Sequence, residues 1–314
     1  MLDNKSLLLQ ESWMISNTSF VFPQSHNTSI LTMESFIEHP NGTPSKRLSL
    51  LHKRWMDSIT TIITHTFFSL VPISVDFSQA PTSNHWFSKI IRMYSSQDRY
   101  YHTVCHLEEM FAYIDNCVNS YCCRVPKKEM SIVNMAVFFH DVIYNPKSST
   151  NEEDSIECFQ QFYRDLFTDS YILETTKSCH GDENHNDSVE KNAPKWNGYD
   201  QVIRFILATK SHTVSKLNED GENPFFLNLF LDADMSVLGK EEKAYNYYSS
   251  LIRKEYDFVP HTEYCDKRAL ILGSFLSQPI FKTDVMKDAL ESRAQLNLRR
   301  EIESLQKGII PRPA

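Results

Sequence analysis

Three short motifs of histidine and aspartate could supply ligands for a divalent cation. In chain order they are His102 with His106, His140 with Asp141, and Asp232 with Asp234. Residues four apart share one face of a helix, so the first two imidazoles can serve one pocket. His140 and Asp141 follow a strongly apolar run, where an unpaired carboxylate is costly to bury. A divalent ion would satisfy both side chains together.

Each of these residues taken alone has a simpler explanation. A single histidine or aspartate is commonly a polar residue that the core or the solvent satisfies. A site is favoured because the motifs lie on separate apolar segments in the order His, His-Asp, Asp. Mixed imidazole and carboxylate donors suit Mn, Fe, Zn or Mg. We therefore expect a divalent metal cofactor of one or two ions, with Mn, Fe, Mg, Co and Zn as candidates.

The segments that must position these residues show helical periodicity and no sustained β alternation. Apolar residues recur at three- and four-residue steps from Trp55 to Leu70, and Pro72 ends the pattern. Further helices are predicted over 98–118, 129–144, 150–163, 201–209, 224–238, 241–256, 267–276 and 284–306. The helix before His140 is apolar on most sides, which indicates that it is buried. The predicted fold class is all-α.

The chain is expected to contain one large helical domain. Residues 1–54 are rich in Ser, Thr and Asn without a sustained period, which predicts a poorly ordered leader. The helical domain is predicted over 55–306, with a polar insertion near 180–197 that interrupts the helical pattern. Residues 307–314 form a tail.

Composition excludes several classes of protein. The chain has 314 residues, and its 40 acidic against 32 basic residues give a net charge of −8, which disfavours binding to long nucleic acid or anionic membrane. Glycine is scarce and neither GxxxxGK[ST] nor GxGxxG occurs, so P-loop and Rossmann folds are disfavoured. Seven cysteines without CxxC pairing, and the lack of a signal peptide or spanning segment, predict a soluble cytoplasmic protein.

The segments around the candidate ligands form an ordered set of motifs. They are Arg99–His106, Phe139–Tyr144, Asn151–Glu152, Leu231–Gly239, Ile252–Tyr256 and Arg293–Asn297. In these motifs the chain resembles the HD superfamily of metal-dependent phosphohydrolases, named for its His-Asp doublet, and most closely a group of predicted HD-type phosphohydrolases. The resemblance covers about residues 55–305. It implies an HD-type helical bundle and says little about the substrate.

The resemblance also implies a role for each motif residue. The segment Tyr101–His106 is similar to the YHxxxH motif of cyclic-nucleotide phosphodiesterases, in which the first histidine donates a proton and the second binds metal. His102 would then be the catalytic proton donor, held protonated by a partner such as Glu108, Glu152 or the substrate phosphate. The implied metal ligands are His106, His140, Asp141 and Asp234.

The choice between the two aspartates of the last motif stays open. In the family the final ligand usually follows a small residue in an Ala-Asp pair, which favours Asp234. Asp232 would then be an acidic residue near the N-terminus of the helix, or a residue that hydrogen-bonds a ligand without contacting the metal. The alternative is that Asp232 is the ligand and Asp234 has this supporting role.

Three further residues correspond to supporting positions in related families. His212 lies where some superfamily members carry an extra histidine for a second metal, and a pocket-lining or solvent-exposed histidine is the alternative. Asn151 and Glu152 follow the HD helix as a similar pair does in phosphodiesterases, so they could support the ligands from outside. A simple helix start is the alternative for this pair.

Basic residues supply candidates for phosphate contact, because a guanidinium presents donors that match phosphate oxygens. Lys210, Arg253, Arg268 and Arg293 are the candidates, with a surface salt bridge as the alternative for each. Arg253 belongs to the family motif, which favours it slightly.

The expected function is metal-dependent hydrolysis of a phosphate ester, of a nucleotide or a related small molecule. One alternative is an HD-fold di-iron oxygenase, for which His212 is the discriminating residue. The other is a non-catalytic module that binds a nucleotide or a partner. No membrane or long nucleic acid is expected as a partner, and the oligomeric state stays open.

Overall fold

The computed structural model describes residues 44–67, 77, 80–120, 125–178, 196–211 and 224–310. Over these residues the protein is all-α, as predicted, with eleven α-helices, one short 3₁₀ helix and no strand. No described helix combines the length and the apolar character needed to cross a membrane.

The helices are numbered in chain order. Their bounds are α1 Pro44–Phe67, α2 Pro81–Tyr94, α3 Val104–Ser120, α4 Lys127–Phe139, α5 Asn151–Thr168, α6 Ser170–Ser178, α7 Tyr199–Thr209, α8 Phe225–Met235, α9 Glu242–Glu255, α10 His261–Phe275 and α11 Asp284–Gln306. The 3₁₀ helix, Ser236–Gly239, follows α8 directly.

The predicted start of the helical domain at residue 55 falls inside helix α1. Helix α1 begins at Pro44, and proline is favoured in a first helical turn because its missing N–H has no partner there. Leu51 already belongs to the core, one turn before the fully buried Trp55. The rest of the predicted leader and most of the insertion near 180–197 lie outside the described residues.

Two helices were not predicted, α2 and α6. In α2 the buried residues Trp86, Ile90 and Tyr94 lie at four-residue steps, which is a clear amphipathic stripe. Helix α3 begins at Val104 and not at Asp98, because residues 101–103 form a bend.

The core is built around α4. All nine residues from Ser131 to Phe139 are buried, in agreement with the nearly continuous apolar run. Helix α4 contacts α1, α3, α5, α7 and α8, so its C-terminal end lies in the middle of the bundle. The His-Asp doublet, His140 and Asp141, directly follows this end of the helix.

The last helix of the described chain packs near the C-terminal end of α8. Helix α11 packs against the 3₁₀ helix and against α10. A Cβ at Gly239 would lie 2.5 Å from Cβ of Leu290, so the close contact between the 3₁₀ helix and α11 requires glycine at this position. Gly308, at φ +68°, ends α11 in the left-handed conformation.

Candidate metal centre

Three helices converge on one buried cluster of imidazoles and carboxylates. His106 lies in the first turn of α3, His140 caps the C-terminal end of α4 and Asp141 follows it. Asp234 lies in the last turn of α8. Both imidazoles are almost fully buried, with exposures of 3% for His106 and 1% for His140. Because these side chains lie at helix ends, each position is fixed by rigid backbone.

The donor atoms are close enough to share one ion. His106 Nε2 lies 3.3 Å from His140 Nε2, and His140 Nε2 lies 3.2 Å from Asp141 Oδ2. One donor atom of each of these three residues lies within 4.8 Å of the others. The mixed donor set fits a divalent ion of the Mn, Fe or Zn kind.

Asp234 joins this cluster and Asp232 does not. The Oδ1 atom of Asp234 lies 3.2 Å from His106 Nε2 and 3.7 Å from His140 Nε2. Asp232 accepts the N–H groups of Lys282 at 2.8 Å and Thr283 at 2.7 Å, and also the Thr283 hydroxyl at 2.7 Å. Its side chain therefore holds the segment before α11, and Asp234 is the aspartate that faces the imidazoles.

A hydrogen bond to the backbone of α4 fixes the orientation of the His140 ring. Its Nδ1–H donates to the carbonyl of Val137 at 2.9 Å, which turns Nε2 toward the cluster. A metal-binding histidine is commonly held in this way, with its second nitrogen donating to a carbonyl or carboxylate. The ring is therefore set for coordination through Nε2 by its own helix.

The carboxylates of the cluster favour the protonated form of His140. Burial by itself lowers the pKa of His140, but the charge and hydrogen bond of Asp141, with Asp234 and the Val137 carbonyl, raise it to about 9. Burial raises the pKa of Asp141, and the stronger combined effect of His140 and His102 holds it well below its usual range. The doublet is therefore an ion pair at neutral pH, and its negative partner is available to a metal.

His102 lies beside the cluster but not on α3. It belongs to the bend before that helix, so the expectation that both histidines share one helical face is wrong. The two rings are nevertheless close, with centroids 5.9 Å apart, and His102 Nε2 lies 3.9 Å from Asp141 Oδ2. The ring stacks on Tyr144 at 4.1 Å.

The partner of His102 is Glu255, and not Glu108 or Glu152. His102 Nδ1 lies 2.7 Å from Glu255 Oε2. Burial lowers the pKa of His102, but this hydrogen bond and the charges of Asp141, Glu255 and Asp234 raise it overall. Glu108 instead forms an ion pair with Arg47 at 2.9 Å. His102 is thus held with Nδ1 on an acid and Nε2 toward Asp141.

Glu255 belongs to the motif Ile252–Tyr256, but no role in the site was predicted for it from the sequence. Its side chain is fully buried, and Oε1 accepts the N–H groups of Tyr100, Tyr101 and His102 at 2.7 to 3.1 Å. Oε2 also accepts the Tyr144 hydroxyl at 3.0 Å. Burial raises the pKa of Glu255, but these bonds, above all that to His102, lower it to about 2. Its place on the buried stripe of α9 was the available signal.

The supporting candidates lie away from the cluster or have other partners. Asn151 bonds the backbone of Asn145 through both side-chain atoms, at 2.9 Å each, which closes the loop before α5. Glu152 lies 3.9 Å from Lys210, whose ammonium donates to Glu153 at 2.5 Å. His212 lies outside the described residues.

The remaining phosphate candidates also have partners in the fold. Arg253 donates to the carbonyls of Tyr256 and Val259, and Arg268 bonds Glu301 at 3.0 Å. Arg293 donates to the carbonyl of Gly239 at 2.9 Å. Contact of any of them with a phosphate stays a prediction.

Comparison of the chain with protein-family models, with curated proteins and with solved structures gives no match. The cluster itself is therefore the basis for assigning a function.

Proposed function

We propose that this protein is a metal-dependent hydrolase of a phosphate ester, a nucleotide or a related small molecule. The proposal is supported by the convergence of four side chains at the ends of three helices: His106, His140, Asp141 and Asp234. Each has a nitrogen or oxygen atom 3.2 to 3.7 Å from such an atom of another member. These four residues would hold the ion. A divalent ion in such a set supplies Lewis-acid activation of a phosphoryl oxygen and of water.

His102 is suited to the proton transfer that ester cleavage needs. Negative charge builds on the leaving oxygen, and a protonated imidazole within reach neutralises it. Glu255 holds Nδ1 of His102 at 2.7 Å and favours the protonated ring, so Nε2 is the atom that would donate. Tyr144, stacked on the ring and bonded to Glu255, restricts its rotation.

The free thiols support a reducing compartment, for which we propose the cytoplasm. Cys105, Cys117, Cys158 and Cys265 form no disulfide within the described residues. Such thiols are the ordinary state of cysteine where glutathione and thioredoxin keep it reduced.

The test begins with protein stripped by a chelator and loaded in turn with Mn, Mg, Fe, Co and Zn. Metal stoichiometry is measured, and turnover is then screened on phosphate monoesters, diesters and nucleotides. Asp234→Asn is the matched variant, since it changes one oxygen of the cluster and little volume. We expect one or more bound ions and hydrolysis that the variant lacks.

Other results would favour the competing functions. Two bound irons with oxygen consumption and no ester cleavage would indicate an oxygenase. Nucleotide binding without turnover under any metal would indicate a binding module. Absence of bound metal would contradict the proposal at its first step.

A further inference from the structure

Arg99 connects the two catalytic segments through their backbones. It lies in the segment between α2 and α3, directly before the bend, and is 8% exposed. Its Nη1 donates to the carbonyls of Asp141 at 2.7 Å and His102 at 3.2 Å. Its Nη2 donates to the carbonyl of Val142 at 2.8 Å. One guanidinium nitrogen thus bridges the peptide of the candidate acid and the peptide of a candidate ligand.

The surroundings of this cation are unusual for a buried arginine. Within the described part of the chain no carboxylate forms an ion pair with Arg99. The guanidinium carbon instead lies 4.9 Å from the Tyr94 ring centroid and 5.6 Å from that of Tyr144. Both rings belong to the site, because the Tyr94 hydroxyl accepts the N–H of Asp141 at 3.2 Å and Tyr144 stacks on His102. The carbonyls around the guanidinium belong to His102 and to residues 141–142, and the two rings contact the same segments.

We propose that Arg99 is a positioning residue that fixes His102 and Asp141 as one rigid unit. The expected effects on turnover rest on the proposed function, and the effect on geometry does not. Arg99 is well suited to this task because a planar guanidinium presents several N–H donors at fixed angles. A lysine ammonium keeps the charge, but it cannot hold three carbonyls spread across that fork.

The decisive variant is Arg99→Lys, with Arg54→Lys as its matched control. Arg54 is also partly buried, bonds Asn134 at 3.3 Å and Asp115, and lies 4.5 Å from the Phe111 ring centroid, but it joins α1 to α3 and α4 away from the cluster. The first readout uses metal-free protein. NMR signals of the imidazole nitrogens of His102 and His140 should shift together in Arg99→Lys and stay in place in Arg54→Lys.

The second readout uses metal-loaded protein. Residues that orient a ligand from outside change metal affinity by about 10- to 100-fold, and we expect a loss in that range for Arg99→Lys. Turnover should fall further on an ester with a poor leaving group than on a nitrophenyl ester, because His102 is displaced as well. Guanidinium ion added to Arg99→Ala should restore part of both losses.

Unchanged imidazole signals in a folded Arg99→Lys would overturn the inference, whatever the protein binds or hydrolyses. A wild type that binds no metal would overturn the proposed function and leave the imidazole readout intact. Should Arg99→Lys fail to fold, the Nη signals of Arg99 in His102→Gln and Asp141→Asn decide the matter. A shift in both variants supports the coupling, and wild-type signals in both contradict it.

Discussion

Two buried acidic regions lie on opposite faces of α8 and are satisfied in different ways. Asp234 belongs to the candidate metal centre, and Asp232 is one of three carboxylate anchors, the other two being Glu291 and Glu301 of α11. Residues two apart on a helix point about 200° from each other, so one helix serves both regions. The two regions differ in the groups that face their carboxylates.

The carboxylate anchors receive N–H and O–H donors. Glu291 accepts the N–H groups of Ile280 and Phe281 at 3.0 to 3.1 Å, directly before the two that Asp232 accepts. Glu301 accepts the Ser249 hydroxyl at 3.0 Å and Arg268 Nε at 3.0 Å. Such carboxylates have their hydrogen-bonding capacity filled by the fold.

The carboxylates of the candidate metal centre face imidazole nitrogens, which a cation can also bind. Buried acids alone therefore do not identify a metal site. The following predictions test whether the groups that face each carboxylate distinguish the two regions.

The largest effect is expected at Asp234. Asp234→Asn should weaken metal binding by more than about 100-fold, beyond the range for residues that only support a ligand. Asp232→Asn should weaken it by about 10- to 100-fold at most, because its carboxylate acts through the backbone of the segment before α11. Titration of both variants with one metal, read by calorimetry, measures the difference. The opposite ranking would reassign the ligand.

The next largest effect is expected at His102, whose replacement should reduce turnover while the metal stays bound. His102→Ala should reduce turnover by about 10²- to 10⁴-fold, because proton transfer to the leaving oxygen is lost, while metal content stays near that of wild type. His106→Ala, the control, should lose both. Turnover on a nitrophenyl phosphate, whose leaving group needs no proton, should fall less in His102→Ala. Equal impairment on both esters would argue against the acid.

Metal affinity should depend on pH. In metal-free protein the pKa of His140 is raised to about 9, so below that pH a proton must leave before Nε2 can bind an ion. Affinity should then increase about tenfold per pH unit for each proton released, and level off near pH 9. Metal titrations from pH 6 to 9.5 measure this slope, and a flat profile would contradict the ion pair.

A smaller effect is expected at the carboxylate anchors. Glu301→Gln replaces a carboxylate that accepts three buried donors, and the free energy of unfolding should fall by about 1–3 kcal/mol. Metal affinity should not change, because no atom of Glu301 faces the cluster. Urea unfolding and metal titration of the same sample separate the two quantities. A large loss of metal would place Glu301 in the site after all.

The smallest effect is expected at Lys210. Its ammonium is exposed and already bonds Glu153 and the carbonyl of Ser149. Exposed ion pairs of this kind contribute little to stability. Lys210→Ala should leave the melting temperature and the KM for ester nearly unchanged. A marked increase in KM would instead support the predicted phosphate contact.

Periodicity and motif order made much of this architecture predictable. The all-α fold, the buried helix α4 and most later helices follow from local apolar patterns. Helix α2 was missed although its stripe of Trp86, Ile90 and Tyr94 is readable. The start of α1 was missed because, of the three leucines in its first two turns, only Leu51 is buried.

The partners of the supporting residues of the site could not be predicted from local sequence. Glu255 and His102 are 153 residues apart, and no spacing rule joins them. The same holds for Arg99, whose role depends on carbonyls more than 40 residues away. Side-chain type indicates what a residue can bind, and tertiary packing decides which partner it finds.

The distance along the chain between His102 and Glu255 also has a consequence for biosynthesis. A ribosome adding about 5–20 residues per second needs roughly 6–23 s to pass from Asp141 to Glu255. During that interval the nascent chain contains the His-Asp doublet but lacks the acid that holds His102. A product terminated before residue 255 therefore lacks the carboxylate that bonds His102 Nδ1, and on the proposed function it would lack a complete proton donor.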